Sequence, residues 1–115
     1  MKTDNYFLPA DDFEEARKFY SQTLGLRVKF DFPEKGMTAY RIGKDEPAII
    51  IKDKHKYPDA RPAIWIEVED VRKVCLEMKA KGVHFLSEPF RIPTGWAVEF
   101  DDPSGNRLGI TDYQV

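Results

Sequence analysis

Nucleophilic and metal-binding side chains are scarce in this sequence, which has one cysteine and two histidines among its 115 residues. Because Cys75 has no second cysteine to pair with, an internal disulfide is excluded, and a reducing, cytoplasmic setting is expected. His55 occurs in a polar segment and His84 in a predicted strand, and both are interpreted as surface or partly packed residues. No Ser/His/Asp or Cys/His set is recognisable, so the sequence does not predict nucleophilic catalysis.

Long hydrophobic runs and clusters of one charge are also missing. The longest apolar runs, such as residues 48–51, have the length of a strand and are too short to span a membrane. The first residues lack the apolar stretch of a signal peptide. The formal net charge is −2 with both signs interspersed, and no basic patch carries aromatic residues. Neither a membrane nor a nucleic acid is therefore an expected partner.

What the sequence does contain is an internal repeat. Two stretches, one beginning at Asp12 and the other at Asp70, each place an aspartate before an amphipathic helix, a glycine after it and a strand beyond. Gly36 follows Asp12 by 24 residues, and Gly95 follows Asp70 by 25. A unit of this size can hardly bury its own apolar face, so the repeat predicts two βαβββ modules packed in one domain of the α+β class.

Composition predicts where the modules begin and end. The first module is expected over about residues 4–53 and the second over about residues 63–113. Residues 54–62 between them are polar, contain two prolines and are interpreted as a linker. A further turn is predicted at residues 43–47, where glycine and proline flank charged residues.

Apolar periodicity predicts the buried face of each helix. The expected stripe is Phe13, Ala16, Tyr20 and Leu24 in the first helix and Val71, Val74, Cys75 and Met78 in the second. On this stripe Cys75 is interpreted as a small buried hydrophobe and not as a nucleophile. Gly25 and Gly82 are the expected helix stops. The strands expected after the second helix are residues 83–86, 97–101 and 107–111.

Three motifs occur in order along the repeat. They are Asp12 with Phe19-Tyr20 and Leu24-Gly25-Leu26, then Val68-Glu69-Asp70-Val71 with Lys79-Ala80-Lys81-Gly82-Val83, then Phe100-Asp101-Asp102-Pro103-Ser104-Gly105-Asn106. Together they resemble the glyoxalase / bleomycin-resistance / extradiol-dioxygenase (vicinal oxygen chelate) superfamily over nearly the whole chain. This resemblance implies two βαβββ modules whose curved mixed sheets surround a ligand-binding cup, with the helices on the outer face. It also implies a homodimer.

The same resemblance locates where a metal ion would bind. Metal-dependent members of the superfamily hold a divalent ion with His and Glu side chains at four positions inside the cup. Counted from the two helix-capping aspartates, these positions fall on Asn5, near Ile50, on Ala63 and on Gly109. Three of them offer no side-chain donor, and a metal site needs three or four protein donors, so no metal and no other cofactor is expected.

Alternation along the strands predicts which side chains face the cup. The expected ligand-binding residues are Asn5, Phe7, Ile50, Trp65, Glu67, Trp96 and Arg107, and the register decides whether Trp96 and Tyr40 face the cup. Apolar and aromatic walls with a few polar groups are typical of a small-molecule pocket, although Trp65 equally fits interior filling. Glu67 and Arg107 either pair with each other or recognise a polar or cationic ligand. Glu67 is also the one candidate for a catalytic base.

Three functions are compatible with these residues. The leading hypothesis is a metal-free protein that binds a small amphipathic or aromatic molecule, resembling the bleomycin-resistance-type, drug-sequestering members that confer antibiotic resistance. The alternative is a glyoxalase- or dioxygenase-like enzyme, a lyase or oxidoreductase, with a metal site elsewhere or with metal-free chemistry at Glu67. A third reading is an accessory domain that acts through its dimer surface, with a cup filled by its own side chains.

Overall fold

A computed structural model of the chain describes residues 1–44 and 47–115. The folded chain separates into two compact units. Repeat 1 is Asn5–Pro62, and repeat 2 joins Met1–Asp4 to Ala63–Val115. Each unit contains one copy of the sequence repeat, so the duplication seen in the sequence corresponds to a division of the folded chain.

Of two predicted connecting segments, the structure describes one in full and the other in part. Residues 54–62, interpreted from the sequence as a linker, belong to repeat 1, where the amide N–H of Tyr57 donates to the Asp53 carbonyl at 2.9 Å. The predicted turn at residues 43–47 includes Asp45 and Glu46, which lie outside the described residues.

Repeat 1 is a four-stranded mixed sheet with one helical segment. Its elements are β1 (Lys2–Ala10), α1 (Phe13–Lys18), a π-helical turn (Phe19–Thr23), β2 (Arg27–Phe32), a 3-10 turn (Pro33–Lys35), β3 (Met37–Arg41) and β4 (Ala48–Asp53). The strand order is β2-β3-β4-β1, with β1 parallel to β4 and the other pairs antiparallel. The first residues of β1 are counted with repeat 2.

Repeat 2 has the same connectivity. Its elements are β5 (Ala63–Glu67), α2 (Val71–Ala80), β6 (Phe90–Ile92), β7 (Gly95–Asp101) and β8 (Arg107–Thr111). The order is β5-β8-β7-β6, with β5 parallel to β8 and the other pairs antiparallel. The predicted α+β class, built from two βαβββ modules with mixed sheets, is therefore confirmed.

The two helices begin in the same way. Asp12 precedes α1 and its Oδ1 accepts the N–H of Glu15 at 3.0 Å, while Asp70 precedes α2 and its Oδ1 accepts the N–H of Lys73 at 3.2 Å. Such caps satisfy a backbone donor that the first helical turn leaves unpaired. Within the described residues no helix is long and apolar enough to cross a membrane.

The predicted buried stripe of the first helix is wrong at its last position. Phe13 is buried and Tyr20 packs against the core of repeat 1, but Leu24 is 51% exposed. The cause is the π-helical turn, in which the N–H of Leu24 donates to the carbonyl of Phe19, five residues back, at 2.9 Å. This wider turn changes the angle between successive side chains, so Leu24 no longer follows Tyr20 on the inner face.

In repeat 2 the strand predicted at residues 83–86 is also wrong. Phe85 forms only an isolated bridge with Phe100, and the chain returns to the edge of β7 as β6, starting at Phe90. Pro89, which has no N–H to give to a ladder, lies directly before that strand. The core of this unit lies between α2 and the sheet and consists of Val68, Val71, Cys75, Val98, Phe100 and Ile110.

Candidate functional site

The face of the repeat 2 sheet that lies away from α2 is named here the Trp65 face. Its side chains alternate along the strands with those that pack beneath α2, and they include Trp65, Glu67, Glu99, Asp101 and Arg107. Trp65 on β5 lies directly beside Gly109 on β8, and only 7% of the Trp65 residue is exposed. A Cβ atom on Gly109 would lie 2.5 Å from two carbon atoms of the indole, so the indole covers the glycine.

Charged groups share the face of the sheet with this tryptophan. The Nε of Arg107 donates to Oδ1 of Asp101 at 2.7 Å, and its Nη1 lies 3.9 Å from Oε2 of Glu99. The Arg107 side chain is only 10% exposed, so both carboxylates act on a largely desolvated guanidinium. Glu67 lies farther along the face, where its Oε2 is 3.7 Å from Nζ of Lys2.

Glu67 and Arg107 do not pair, which answers a question that the sequence left open. On the parallel strands β5 and β8, Arg107 lies beside Ala63, whereas Glu67 lies beside Thr111. Four residues along a strand separate the two side chains by roughly 13 Å. Arg107 therefore takes its carboxylate partners from β7, the antiparallel neighbour of β8, and not from β5.

The corresponding face of repeat 1, away from α1, is named the Phe7 face and is aromatic and aliphatic. It carries Phe7, Phe30, Phe32, Ile50 and Lys52, with Ile50 buried beside Phe7. The rings of Phe30 and Phe32 stack with their centroids 5.2 Å apart. Asn5, at the start of this face, is buried, and its Oδ1 accepts the N–H of Ala48 at 3.0 Å, so the amide has a structural role.

A lysine held between two aromatic rings forms the cationic part of the Phe7 face. Nζ of Lys52 lies 5.0 Å from the centroid of Phe7 and 4.5 Å from that of Tyr57. The Tyr57 hydroxyl donates to the carbonyl of Lys35 at 2.9 Å. The segment predicted as a linker thus supplies one wall of this aromatic cluster and is fixed to its own repeat.

One tryptophan and one tyrosine, whose orientation was predicted to depend on strand register, lie beneath the helices. Trp96 alternates with Ala97 on β7 and packs with the core under α2, so it does not share a face with Trp65. Tyr40 stacks on Tyr20 under α1 with centroids 5.5 Å apart, and burial raises the pKa of the Tyr40 hydroxyl. The expectation that Trp96 belongs with the other ligand-facing residues is wrong, because β7 turns its even-numbered side chains toward α2.

Comparison with known proteins agrees with this architecture. The model of the Glyoxalase/Bleomycin resistance protein/Dioxygenase superfamily matches residues 2–110. The chain belongs to this superfamily. It is 27% identical over 113 residues to the uncharacterized protein YurT of Bacillus subtilis (strain 168), an alignment that covers 86% of this chain and 89% of YurT.

Solved structures of the superfamily share the fold at low identity. A glyoxalase/bleomycin resistance protein/dioxygenase superfamily member from Vibrio splendidus 12B01 has a TM-score of 0.70 at 16% identity, covering 93% of this chain and 95% of its own. Methylmalonyl-CoA epimerase from Mycobacterium tuberculosis has a TM-score of 0.76 at 16% identity, covering 99% of this chain and 89% of its own. At such identities the likeness shows the fold of this superfamily chain and not its reaction.

The four positions that counting from the capping aspartates assigns to metal ligands hold residues that do not fit a metal ion. Ala63, Ile50 and Gly109 have no donor side chain, and the oxygen of Asn5 already accepts a backbone hydrogen bond. The space over Gly109, from which a longer side chain would have to project, is filled by the indole of Trp65. Among residues 1–44 and 47–115, no three His, Cys, Asp or Glu side chains come together as a possible metal site.

Several residues of the two faces were not among those predicted from the sequence, including Phe30 and Phe32 on the Phe7 face. Glu99 and Asp101 follow from the alternation of β7 once its register to β8 is known, because they lie beside Gly109 and Arg107. Lys52 continues the alternation of Ile50 on β4 and was accessible to the same reasoning. Tyr57 could not be predicted in this way, since its position depends on how an aperiodic loop folds back, which no local sequence pattern indicates.

Proposed function

We propose that this superfamily member binds a small amphipathic or aromatic molecule without a metal ion, in the manner of the drug-sequestering members. The observation that carries the proposal is the indole of Trp65 lying over Gly109. In this chain an aromatic surface occupies the place where the superfamily's metal chemistry would need a ligating side chain. The indole is held rigidly with 7% of the residue exposed, so the part of it that a ligand can meet costs little conformational entropy to use.

The charges around Trp65 support a ligand with a polar or cationic group. Glu67, Glu99 and Asp101 place three carboxylates on the Trp65 face against the cations Arg107 and Lys2. An aromatic ring beside carboxylates attracts organic cations through both the ring quadrupole and the charge. A few directional charges beside an apolar surface are the usual composition of a small-molecule site.

The Phe7 face supports binding of an apolar or aromatic body. Phe7, Phe30 and Phe32 give aromatic surface, and the buried side chains of Ile50 and Ala39 lie between them on the sheet. No reacting group is needed for such binding, since sequestration depends on shape and stacking. We further propose a cytoplasmic protein that acts as a homodimer, as the resemblance implies, with neither nucleic acid nor membrane as partner.

The test uses Trp65 as its own reporter. The chain has two tryptophans, so the Trp96→Phe variant leaves Trp65 as the only indole, and a panel of amphipathic aromatic compounds, cationic members included, is titrated while its emission is followed. A saturable change with at least one compound is expected. Trp65→Phe is the matched variant, in which binding measured by calorimetry should weaken. A folded Trp96→Phe protein whose emission responds to no compound would contradict the proposal.

A further inference from the structure

A groove runs along α2 in repeat 2, on the opposite side of the sheet from the Trp65 face. Its volume is about 280 Å³, and it is lined by Arg72, Cys75, Leu76, Lys79, Glu88 and Pro89. Four of these residues recur at helical spacing along α2, and the other two precede β6. The groove is therefore a property of one helix flank and of the adjoining segment, within a single repeat.

The floor and one wall of this α2 groove are apolar. Cys75 forms the floor with 1% of its surface exposed, and burial raises the pKa of its thiol, so it lines the groove as a neutral group. Leu76 forms the wall and is 69% exposed. An aliphatic chain lying in the groove would cover Leu76 and Pro89 and remove apolar surface from water.

One end of the groove carries a cation that is held in place without an ion pair. The guanidinium of Arg72 lies 4.4 Å from the centroid of Trp96, and across the residues that the structure describes it forms no ion pair. Arg91 approaches the same ring at 5.3 Å and adds a second positive charge nearby. Stacking orders the Arg72 side chain in advance, which lowers the cost of using it for a ligand.

The other end of the groove is closed by a weak contact. Nζ of Lys79 lies 3.2 Å from Oε1 of Glu88, and the Glu88 side chain is largely exposed. Exposed pairs of this kind contribute little and are easily exchanged for another partner. Glu88 is also the only acidic residue among those lining the groove.

We infer that the α2 groove binds a small amphipathic anion, of the chemical class of a medium-chain monocarboxylate. The carboxylate is held by Arg72, the aliphatic chain lies over Leu76 and Pro89, and Lys79 becomes available when its contact with Glu88 opens. The volume is slightly below that of drug-sized sites, which favours a short chain over a larger molecule. This site is separate from the Trp65 face and does not rest on the function proposed for that face.

The experiment titrates octanoate into the full-length protein and follows it by calorimetry and by backbone amide NMR shifts. The largest shifts are expected at residues 72–79 and 87–89. Arg72→Gln should weaken octanoate binding about tenfold, since a charge-assisted contact is lost. Glu88→Gln should tighten it about threefold, because a repelling carboxylate is removed and Lys79 is released.

Two controls make the result decisive. Lys73→Gln removes the same charge from the next, exposed position of α2 and should leave affinity within about twofold, since distant exposed charges are screened. Octylammonium, with the same chain and the opposite charge, should bind much more weakly than octanoate. Equal binding of the two probes, equal weakening by Arg72→Gln and Lys73→Gln, or shifts centred on Trp65 would each overturn the inference. Absence of octanoate binding to the folded wild-type chain would overturn it as well.

Discussion

The two repeats share a fold but differ in the chemistry of the faces that their helices do not cover. Repeat 1 has an aromatic face on which Lys52 lies between two rings, while repeat 2 has a face that carries one indole, carboxylates and a mostly desolvated guanidinium. The helix-side cores and the capping aspartates are alike in the two units. Each repeat needs a packed core under its helix and a capped helix start to form this fold, so these features are shared. The side chains on the opposite face have no such role in the fold and can differ between the repeats.

The largest expected difference between the repeats concerns the aspartate at the end of the last strand of each repeat, β4 or β8. Asp112 follows β8 and is 1% exposed, and its carboxylate accepts N–H groups of Val71 at 2.8 Å and Trp96 at 2.9 Å. Asp53 ends β4 at the equivalent place, and its Oδ1 accepts the N–H of His55 in an exposed turn, with no second donor among residues 1–44 and 47–115. The same residue type thus fixes the helix start in repeat 2 and a surface turn in repeat 1.

Removing these two carboxylates is therefore expected to have unequal effects. Asp112→Ala should lower the free energy of unfolding by about 3 kcal/mol, because several buried donors lose their acceptor. Asp53→Ala should lower it by about 1 kcal/mol or less, since the freed N–H is reached by water. Urea unfolding of both variants measures the difference. Equal losses of unfolding free energy would mean that the hydrogen bonds of Asp112 do not hold α2 on its sheet.

A second comparison uses glycines. Gly109→Ala should lower the free energy of unfolding by about 2 kcal/mol, since the new Cβ must displace the Trp65 indole from a packed position. Gly43→Ala is the matched control in repeat 1, where an added Cβ meets nothing within 4 Å, and its effect should stay within about 0.5 kcal/mol. A Gly109→Ala protein as stable as the wild type would show that the indole is free to move away.

The two helix-capping aspartates should contribute equally to the free energy of unfolding, because both repeats begin their helix in the same way. Asp12→Ala and Asp70→Ala each remove one side-chain acceptor from the first helical turn, and each should cost about 1 kcal/mol. Thermal or urea unfolding of the two variants gives the comparison. A difference of more than about 1 kcal/mol between them would break the equivalence of the two helix starts.

The smallest expected effect is the pH dependence that Asp31 in repeat 1 contributes to stability. The Thr38 hydroxyl, which donates to Asp31 at 2.5 Å, and the Arg17 guanidinium hold the pKa of the Asp31 carboxyl below its usual value. Because the folded pKa is lower than the unfolded one, this stabilisation is present above the unfolded pKa. It is lost as the pH falls through the folded pKa.

Asp31→Asn tests this dependence. Since Asp31 is partly exposed, its loss should cost about 1 kcal/mol or less near neutral pH, and the difference from wild type should shrink in acid. Unfolding measured as a function of pH gives the slope. A difference that stays constant down to the acid limit would show that packing of the side chain, and not its charge, is responsible.

The sequence predicted most of this fold because the signals that carry it are local and occur twice. Capping aspartates, helix stripes and strand alternation predicted the βαβββ order and assigned Trp65, Glu67 and Arg107 to one face, whereas the pairing of Trp65 with Gly109 is seen only in the structure. The errors arose where a local pattern was overridden. Leu24 is turned outward by a π-helical turn that apolar spacing does not encode, and the strand predicted near Phe85 is displaced to β6 by the chain around Pro89.

The candidate site was less predictable because it depends on register between strands. Alternation identified Trp65, Glu67 and Arg107 as neighbours on one face, but only the pairing of β7 with β8 gives Arg107 its partners Asp101 and Glu99. Trp96 was misplaced for the same reason, since its face follows from that pairing. The α2 groove was not foreseen at all, because one of its walls comes from a segment without periodicity.

The most direct test of metal-free binding at the Trp65 face is one titration under two conditions. The best compound from the fluorescence panel is titrated into Trp96→Phe protein dialysed against a chelator, and again after Ni, Zn, Fe or Mn is restored. We expect the same dissociation constant in both, since Ala63 and Gly109 offer no side-chain donor and Trp65 covers the glycine. Binding that appears only with the metal, or metal retained at one ion per chain through dialysis, would contradict it.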